Sequence, residues 1–328
     1  MLKLLVHEAT FARLAERLKT QSAAVSPIVL HDDGRFRAAD GSVLDEPVEI
    51  DIAYATPDAF FGPQVTKFFG TVMSAPTLQW FQSSAAGIEH PALKAIGQKA
   101  GLYTSSHEQA PAIAEWVLWA GLDWFQGGPA RREAQASKTW GRMAFTEIGD
   151  THWLIVGFGA IGRETARRVR GLGATVTGVR RTPGADPDAD EMIQPGSILP
   201  ALPAVDAVVL SCPLTPETEN MAGRDFFAAM KADALFVNVG RGALVDETAL
   251  LDGLAVGRPA YAALDVVREE PLPPENPIWA HPKITLTPHT SAQTMGAARR
   301  TDSLFLSNLE AFLSGGALHN LVEKADFD

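Results

Sequence analysis

Residues 152–170 read HWLIVGFGAIGRETARRVR, and this stretch decides the fold. Trp153 to Val156 form a continuous apolar run, the pattern of a strand buried on both faces. Gly157, Gly159 and Gly162 follow as G-x-G-x-x-G at the start of a helix bearing Arg163 to Arg170. In that setting the first two glycines permit a tight turn and close backbone approach to a pyrophosphate. The third lets helix and strand pack closely, and the helix N-terminus faces the anion. The strand TVTGV at 175–179 completes the βαβ context that a lone glycine motif would lack. Gly157, Phe158, Gly159, Ala160, Ile161 and Gly162 are therefore candidate dinucleotide-binding residues.

Working outward, DAVVLSC, ALFVNVG, AYAALDV and KITLTPH repeat the alternation of apolar strand and helical stretch. That predicts a parallel sheet covered on both faces. Upstream, LKLLVHEA, VEIDIAYA and TLQWFQSS read as strands and FARLAERLK as an amphipathic helix, giving a smaller α/β domain over residues 1–105. Pro111 opens a helix over 110–126 that is apolar around nearly its whole circumference, so it should be buried on most sides, in a core or a subunit interface. Trp116, Trp119 and Trp124 belong to that helix and read as packing residues. The tail from Thr294 to Leu313 is amphipathic and helical; packed on the first domain, it would build that domain from both chain ends.

At 328 residues the chain exceeds what one core usually organises, so two domains with a cleft are expected. Asp and Glu outnumber Lys and Arg by 39 to 28, and the formal charge of −11 disfavours nucleic acid and anionic membrane surfaces as partners. A small anionic substrate would need a local cationic patch. The single cysteine, Cys212, cannot form an internal disulfide or a cysteine metal cluster, and no metal site is expected. The opening MLKLLVHEAT is too briefly apolar for a signal peptide, and no run reaches the roughly 20 apolar residues of a membrane span. The cytoplasm is the expected compartment.

About 20 residues past the glycines, an NAD enzyme places an acidic residue on the ribose 2′-hydroxyl. Here that position holds Arg180, followed by Arg181 and Thr182. A guanidinium can fork onto a 2′-phosphate instead, so NADP(H) is expected to be preferred over NAD(H) by roughly ten- to a hundredfold. The plain structural alternative is a pair of solvated loop charges.

Arg241 in VNVGRGALVDE, Glu270 in LDVVREEPLP and His289 in TLTPHTSAQ are the candidate catalytic residues. A histidine moves a proton near neutral pH, a carboxylate partner fixes its tautomer, and a guanidinium holds a substrate carboxylate. In these segments, and in LQWFQSSAAGIEH, APAIAEWVL, CPLTPET and NPIWAHPKITLTPHTSA, the chain resembles the D-isomer-specific 2-hydroxyacid dehydrogenases, and among them the glyoxylate/hydroxypyruvate reductases. The resemblance spans most of the chain. It implies that Arg241 binds substrate carboxylate and keto oxygen, that His289 is the acid/base and that Glu270 is its partner. It also implies that Asp265 holds the nicotinamide carboxamide and that Cys212, Pro213, Thr218 and Val239 line the cofactor. Ala85, Ala86 and Gly87 match a loop that binds the substrate carboxylate through backbone N–H groups, and Glu89 stands where many relatives carry aspartate. Trp279 reads either as simple packing or as a pocket wall limiting substrate size. The implied architecture is two Rossmann-like parallel-sheet domains with a cleft between them. A dinucleotide-binding Rossmann domain, 106–291, is inserted into a flavodoxin-like substrate domain, 1–105 and 292–328, in a homodimer.

The leading expectation is NADPH-dependent reduction of glyoxylate, hydroxypyruvate or a similar small 2-oxo acid. The same site could serve a bulkier 2-oxo acid or a one-carbon or inorganic hydride donor. A dinucleotide-sensing regulator with protein partners is a third reading, disfavoured by the intact trio.

Overall fold

The computed structural model describes residues 1–20, 23–88, 90–182 and 184–327; Glu89 lies outside them. The chain divides into two units, Met1–Glu108 with Ala298–Asp328, and Gln109–Ala297. The boundaries fall a few residues beyond those expected from sequence.

The first unit contains β1 (Leu2–His7), α1 (Glu8–Lys19), β2 (Val25–Leu30), β3 (Phe36–Ala38), β4 (Ile52–Ala55), α2 (Pro57–Phe61), α3 (Val65–Ser74), β5 (Trp80–Ser83), α4 (Pro91–Lys99) and β6 (Leu102–Thr104). The sheet order is β3-β2-β1-β4-β5-β6, parallel except where β3 runs antiparallel to β2. Alternation along each strand sends Leu5 and Phe81 to one buried face and Leu4, Val6 and Trp80 to the other. Strand β2 was not foreseen because Pro27 interrupts its apolar run, and a proline usually demotes a strand assignment. Strands β3 and β6 are three residues each, too short for periodicity to register.

The second unit contains α5 (Ala110–Phe125), α6 (Gly128–Ala136), β7 (His152–Val156), α7 (Ala160–Gly171), β8 (Thr175–Val179), β9 (Glu191–Ile193), α8 (Ile198–Ala201), β10 (Ala207–Leu210), α9 (Arg224–Ala229), β11 (Leu235–Asn238), α10 (Glu247–Val256), β12 (Tyr261–Leu264) and β13 (Ile284–Leu286). Its strands are ordered β13-β12-β11-β10-β7-β8-β9 and all pair in parallel. The chain leaves β7 outward to β8 and β9, then returns to β10 beside β7. That reversal is the switch point of a doubly wound sheet, where ligands bind beyond the carboxyl ends of the strands. Helix α5 buries Ile113, Val117 and Gly121, and a side chain on Gly121 would collide with the Trp153 ring. Trp124 stacks on Tyr261. Trp119, expected in a core or interface, is about half exposed in the single chain.

Helix α11 (Met295–Ser314) is the amphipathic tail. Within the first unit its Phe305 stacks on Tyr54 with ring centroids 4.2 Å apart. Arg13 Nε and the Tyr54 hydroxyl donate to the buried Asp302 carboxylate at 2.8 and 2.9 Å. The last helix is therefore an integral wall of the first unit. Among the described residues no helix is long and apolar enough to cross a membrane.

Candidate active site

The glycine turn after β7 shows which demands come from the protein and which do not. Gly157 has φ +95°, and a Cβ there would lie 2.4 Å from the Cys212 nitrogen, so the turn presses against the end of β10. A Cβ on Gly162 would meet the Gly157 carbonyl oxygen at 2.5 Å, which is the helix–strand contact expected of the third glycine. Gly159, the N-cap of α7, has nothing within 4 Å of its notional Cβ. Its smallness serves no packing inside the chain and instead leaves room at a helix N-terminus, a fit for a pyrophosphate.

The following loop is pinned to α7 by a ladder of ion pairs, Arg163–Asp186 at 2.9 Å, Arg167–Asp188 at 2.8 Å and Arg170–Asp190 at 2.9 Å. Arginines about one helical turn apart, roughly 5–6 Å along the axis, meet alternate aspartates of a turn in which the Ala189 amide donates to the Asp186 carbonyl at 3.1 Å. Arg180 joins this scaffold. Its Nε donates to the Thr182 carbonyl at 3.0 Å, one terminal nitrogen pairs with Asp186 at 3.1 Å and the other donates to the Gly184 carbonyl at 3.0 Å. The fork expected on a cofactor phosphate is thus turned onto its own loop, whereas Arg181 and Thr182 are exposed. Asp186 is pushed upward by burial, but the Arg163 and Arg180 charges hold its carboxyl below the usual range.

On the other side of the switch point, burial pushes the Cys212 thiol up to about 11, and its Sγ lies 3.7 Å from the Met221 sulfur. It is a packing residue at a strand end. The Thr218 hydroxyl donates to the Pro213 carbonyl at 2.9 Å and accepts from the Thr215 amide at 2.7 Å, closing the loop between them. Val239 is buried after β11.

The trio assembles from the loops after β11, β12 and β13. His289 Nδ1 and Glu270 Oε2 are 2.8 Å apart, and Glu270 Oε1 accepts the Val267 amide at 3.1 Å. The hydrogen bond to Glu270 raises the His289 pKa against the opposing effect of burial. Burial pushes Glu270 upward, yet the His289 hydrogen bond and charge bring it below its ordinary value. The Arg241 charge acts on both, lowering each. Arg241 itself is part-buried, extended and anchored through a 2.7 Å bond to the Gly240 carbonyl. Asp265 is buried and binds the loop that carries His289. Trp279 is 52% exposed on the turn Pro277–Ala280, its indole N–H donating to the Pro273 carbonyl at 3.0 Å. Ala85, Ala86 and Gly87 follow β5 in the first unit, the Ala85 amide donating to the Ser83 hydroxyl at 3.0 Å. Among the described residues no group of three or more His, Cys, Asp or Glu could hold a metal.

A family model described as the D-isomer specific 2-hydroxyacid dehydrogenase NAD binding domain matches residues 118–291, more than half of the chain. The chain belongs to the D-isomer specific 2-hydroxyacid dehydrogenases. It is 36% identical over 167 residues to a mouse glyoxylate reductase/hydroxypyruvate reductase, an alignment covering 50% of each chain. It thus spans about half the length of the curated relatives it matches. Among solved structures it resembles a D-isomer specific 2-hydroxyacid dehydrogenase from Xanthobacter autotrophicus Py2 in complex with NADPH and MES. The TM-score is 0.78 at 24% identity, covering 100% of this chain and 99% of that one. An NADPH-dependent glyoxylate/hydroxypyruvate reductase from Sinorhizobium meliloti gives a TM-score of 0.77 at 23% identity, covering 99% of each chain. These structural likenesses establish the α/β fold with two Rossmann-like units.

Two residues that shape the site of this dehydrogenase family member escaped the sequence reading. A Cβ on Gly242 would sit 1.9 Å from the Val267 carbonyl carbon, so only glycine lets the Arg241 and Glu270 loops touch. The buried Asn238 donates to the Arg241 carbonyl at 2.9 Å and accepts the Gly240 amide at 3.1 Å, shaping the turn that presents Arg241. The dipeptide Arg241-Gly242 was the available signal for the first. Nothing local marked the second.

Proposed function

We propose that this chain reduces a small 2-oxo acid, of the glyoxylate or hydroxypyruvate class, to the D-2-hydroxy acid with NADPH preferred over NADH. The observation that carries the reading is the 2.8 Å His289–Glu270 pair beside the Arg241 charge. When bound, the reduced nicotinamide supplies a hydride to the carbonyl carbon. The chain must then deliver a proton to the carbonyl oxygen and hold the substrate carboxylate.

Glu270 engages Nδ1, so the neutral imidazole keeps its proton on Nδ1 and presents Nε2 as the exchanging atom. Protonated His289 donates from Nε2 to the developing alkoxide, and the neutral ring takes the proton back in the reverse direction. Arg241 is the guanidinium suited to fork onto the carboxylate, with Ala85, Ala86 and Gly87 contributing backbone N–H groups from the first unit. That local charge offsets the repulsion a chain of net charge −11 exerts on an anion. Gly157 to Gly162 and the α7 N-terminus would hold the pyrophosphate. Arg181 and Thr182 would meet the 2′-phosphate on the platform that Arg180 stabilises. Val239, Cys212, Pro213 and Thr218 would line the cofactor, and Trp279 would bound the substrate pocket.

A second copy of the chain is the expected partner. Trp140 is fully exposed, Phe145 about half and Met143 over a third, a concentration of apolar side chains that monomers rarely leave in water. The expected compartment is the cytoplasm, as read from the sequence.

Steady-state assays of glyoxylate, hydroxypyruvate and pyruvate with each reduced cofactor test the proposal. Turnover confined to formate or phosphite, or dinucleotide binding without turnover of any 2-oxo acid, would overturn it.

A further inference from the structure

Two residues before Glu270, the Arg268 side chain bonds to two other loops of the second unit. One terminal nitrogen donates to the Val245 and Ala243 carbonyls at 3.2 and 3.4 Å and to the side-chain oxygen of Asn220. The other lies 3.6 Å from the Glu219 carboxylate. The Arg268 backbone N–H donates to the Glu247 carboxylate at 2.7 Å, at the start of α10.

These partners frame the turn that presents Arg241. The Asn220 amide donates to the Ala243 carbonyl at 2.9 Å, the Ala222 amide to the Leu244 carbonyl at 3.0 Å and the Asp246 amide to the Ala222 carbonyl at 3.1 Å. Across the turn, a Cβ on Gly242 would lie 1.9 Å from the Val267 carbonyl carbon and 2.3 Å from the Arg268 nitrogen. The Val267 amide in turn donates to Glu270 at 3.1 Å. Arg268 therefore stands where the loop after β10, the Arg241 turn and the Glu270 loop meet. A guanidinium carries five donors in a rigid planar fork, so one side chain can hold acceptors on separate segments. At 39% side-chain exposure its ion pair with Glu219 is screened by water and contributes little. The charge-assisted bonds to backbone carbonyls are the part that fixes geometry.

We propose that Arg268 is a positioning residue for the reduction: by clamping the turn after Arg241 to the Glu270 loop, it keeps the Arg241 guanidinium in register with the His289–Glu270 pair. The proposal rests on the roles read for those three residues.

The test is Arg268→Met in the full chain, which keeps an unbranched stem and removes every side-chain donor. Four quantities are read: kcat and KM for glyoxylate, the NADPH dissociation constant, amide hydrogen exchange over residues 219–222 and 241–247, and the urea midpoint. The expected result is a KM about tenfold higher and a kcat about tenfold lower, with NADPH affinity within about threefold of the parent. The Asn220, Ala222 and Asp246 amides should exchange about tenfold faster. Arg268→Lys keeps the charge and one donor group, so it should recover part of each loss, and it carries the same test if Arg268→Met does not fold. In an Arg241→Lys background the further effect of Arg268→Met on KM should shrink below about twofold, because residues acting through one another are not additive. Parental KM and kcat with a lowered urea midpoint would overturn the proposal in favour of a purely structural clamp. So would a KM effect retained in full beside Arg241→Lys, or NADPH binding weakened tenfold with KM for glyoxylate unchanged. A parent protein that turns over no 2-oxo acid would overturn the reductase reading, while unchanged amide exchange in Arg268→Met would separately overturn the clamp.

Discussion

His289 Nδ1 lies 2.8 Å from Glu270 Oε2, joining the loop after β13 to the loop after β12. The two groups shift each other in opposite directions, His289 up and Glu270 down. For a raised histidine, the stabilising contribution is complete below its ordinary pKa of 6.5 and is lost as pH rises through the folded value. For a lowered glutamate it is complete above 4.5 and is lost as pH falls through the folded value. The pair therefore stabilises the fold most between about pH 4.5 and 6.5. Denaturant midpoints of the parent and Glu270→Gln across pH should diverge most in that window; parallel curves would contradict the coupling.

In the proposed reaction His289 donates the proton, so kcat/KM for reduction should fall as pH rises through its raised pKa. Glu270→Gln removes the main cause of that rise, and the alkaline limb of the profile should move to lower pH. A limb that stays in place would mean that another group supplies the proton.

His289→Ala should lower kcat by roughly 100- to 10,000-fold, the range of a lost general acid. Arg241→Lys keeps the charge but loses the planar fork, so KM for glyoxylate should rise roughly ten- to a hundredfold, with a smaller change in kcat. Near-parental kinetics in either variant would remove that residue from its assigned role.

Arg181→Ala should lower kcat/KM with NADPH about ten- to a hundredfold and leave NADH within about twofold. Arg180→Ala should instead weaken use of both cofactors, because Arg180 holds the loop carbonyls of Thr182 and Gly184. Loss of NADPH selectivity in Arg180→Ala alone would reverse these assignments.

Gly242→Ala places a methyl 1.9 Å from the Val267 backbone. The loops must separate, with a stability loss of about 1–3 kcal/mol and a weakened Glu270–His289 coupling. Urea titration reads the first and the alkaline pH limb reads the second. A variant with parental midpoint and profile would show that the contact is easily relaxed.

Trp140→Ser should weaken self-association tenfold or more if Trp140 anchors an interface between two copies. Sedimentation at several concentrations measures it. An unchanged mass distribution would place any interface elsewhere.

Local chemistry alone was enough to read the strand–glycine–helix turn at 153–170, the run of parallel strands beyond it and the three polar residues of the site. Backbone propensity, side-chain periodicity and glycine requirements act over a few residues, so they leave their mark in the order of amino acids. Strand β2 was obscured because Pro27 contradicts the local pattern, and only its pairing with β1 makes it a strand. Tertiary structure alone decided that Arg180 faces its own loop while Arg181 faces water, since Asp186 and the α7 arginines set that choice. It alone also revealed that the His289 loop closes around Asp265 and that Gly242 admits Val267. Side-chain direction and hydrogen-bond partners depend on segments far apart in the chain, and their contact exists only once the second unit's sheet and its loops are folded.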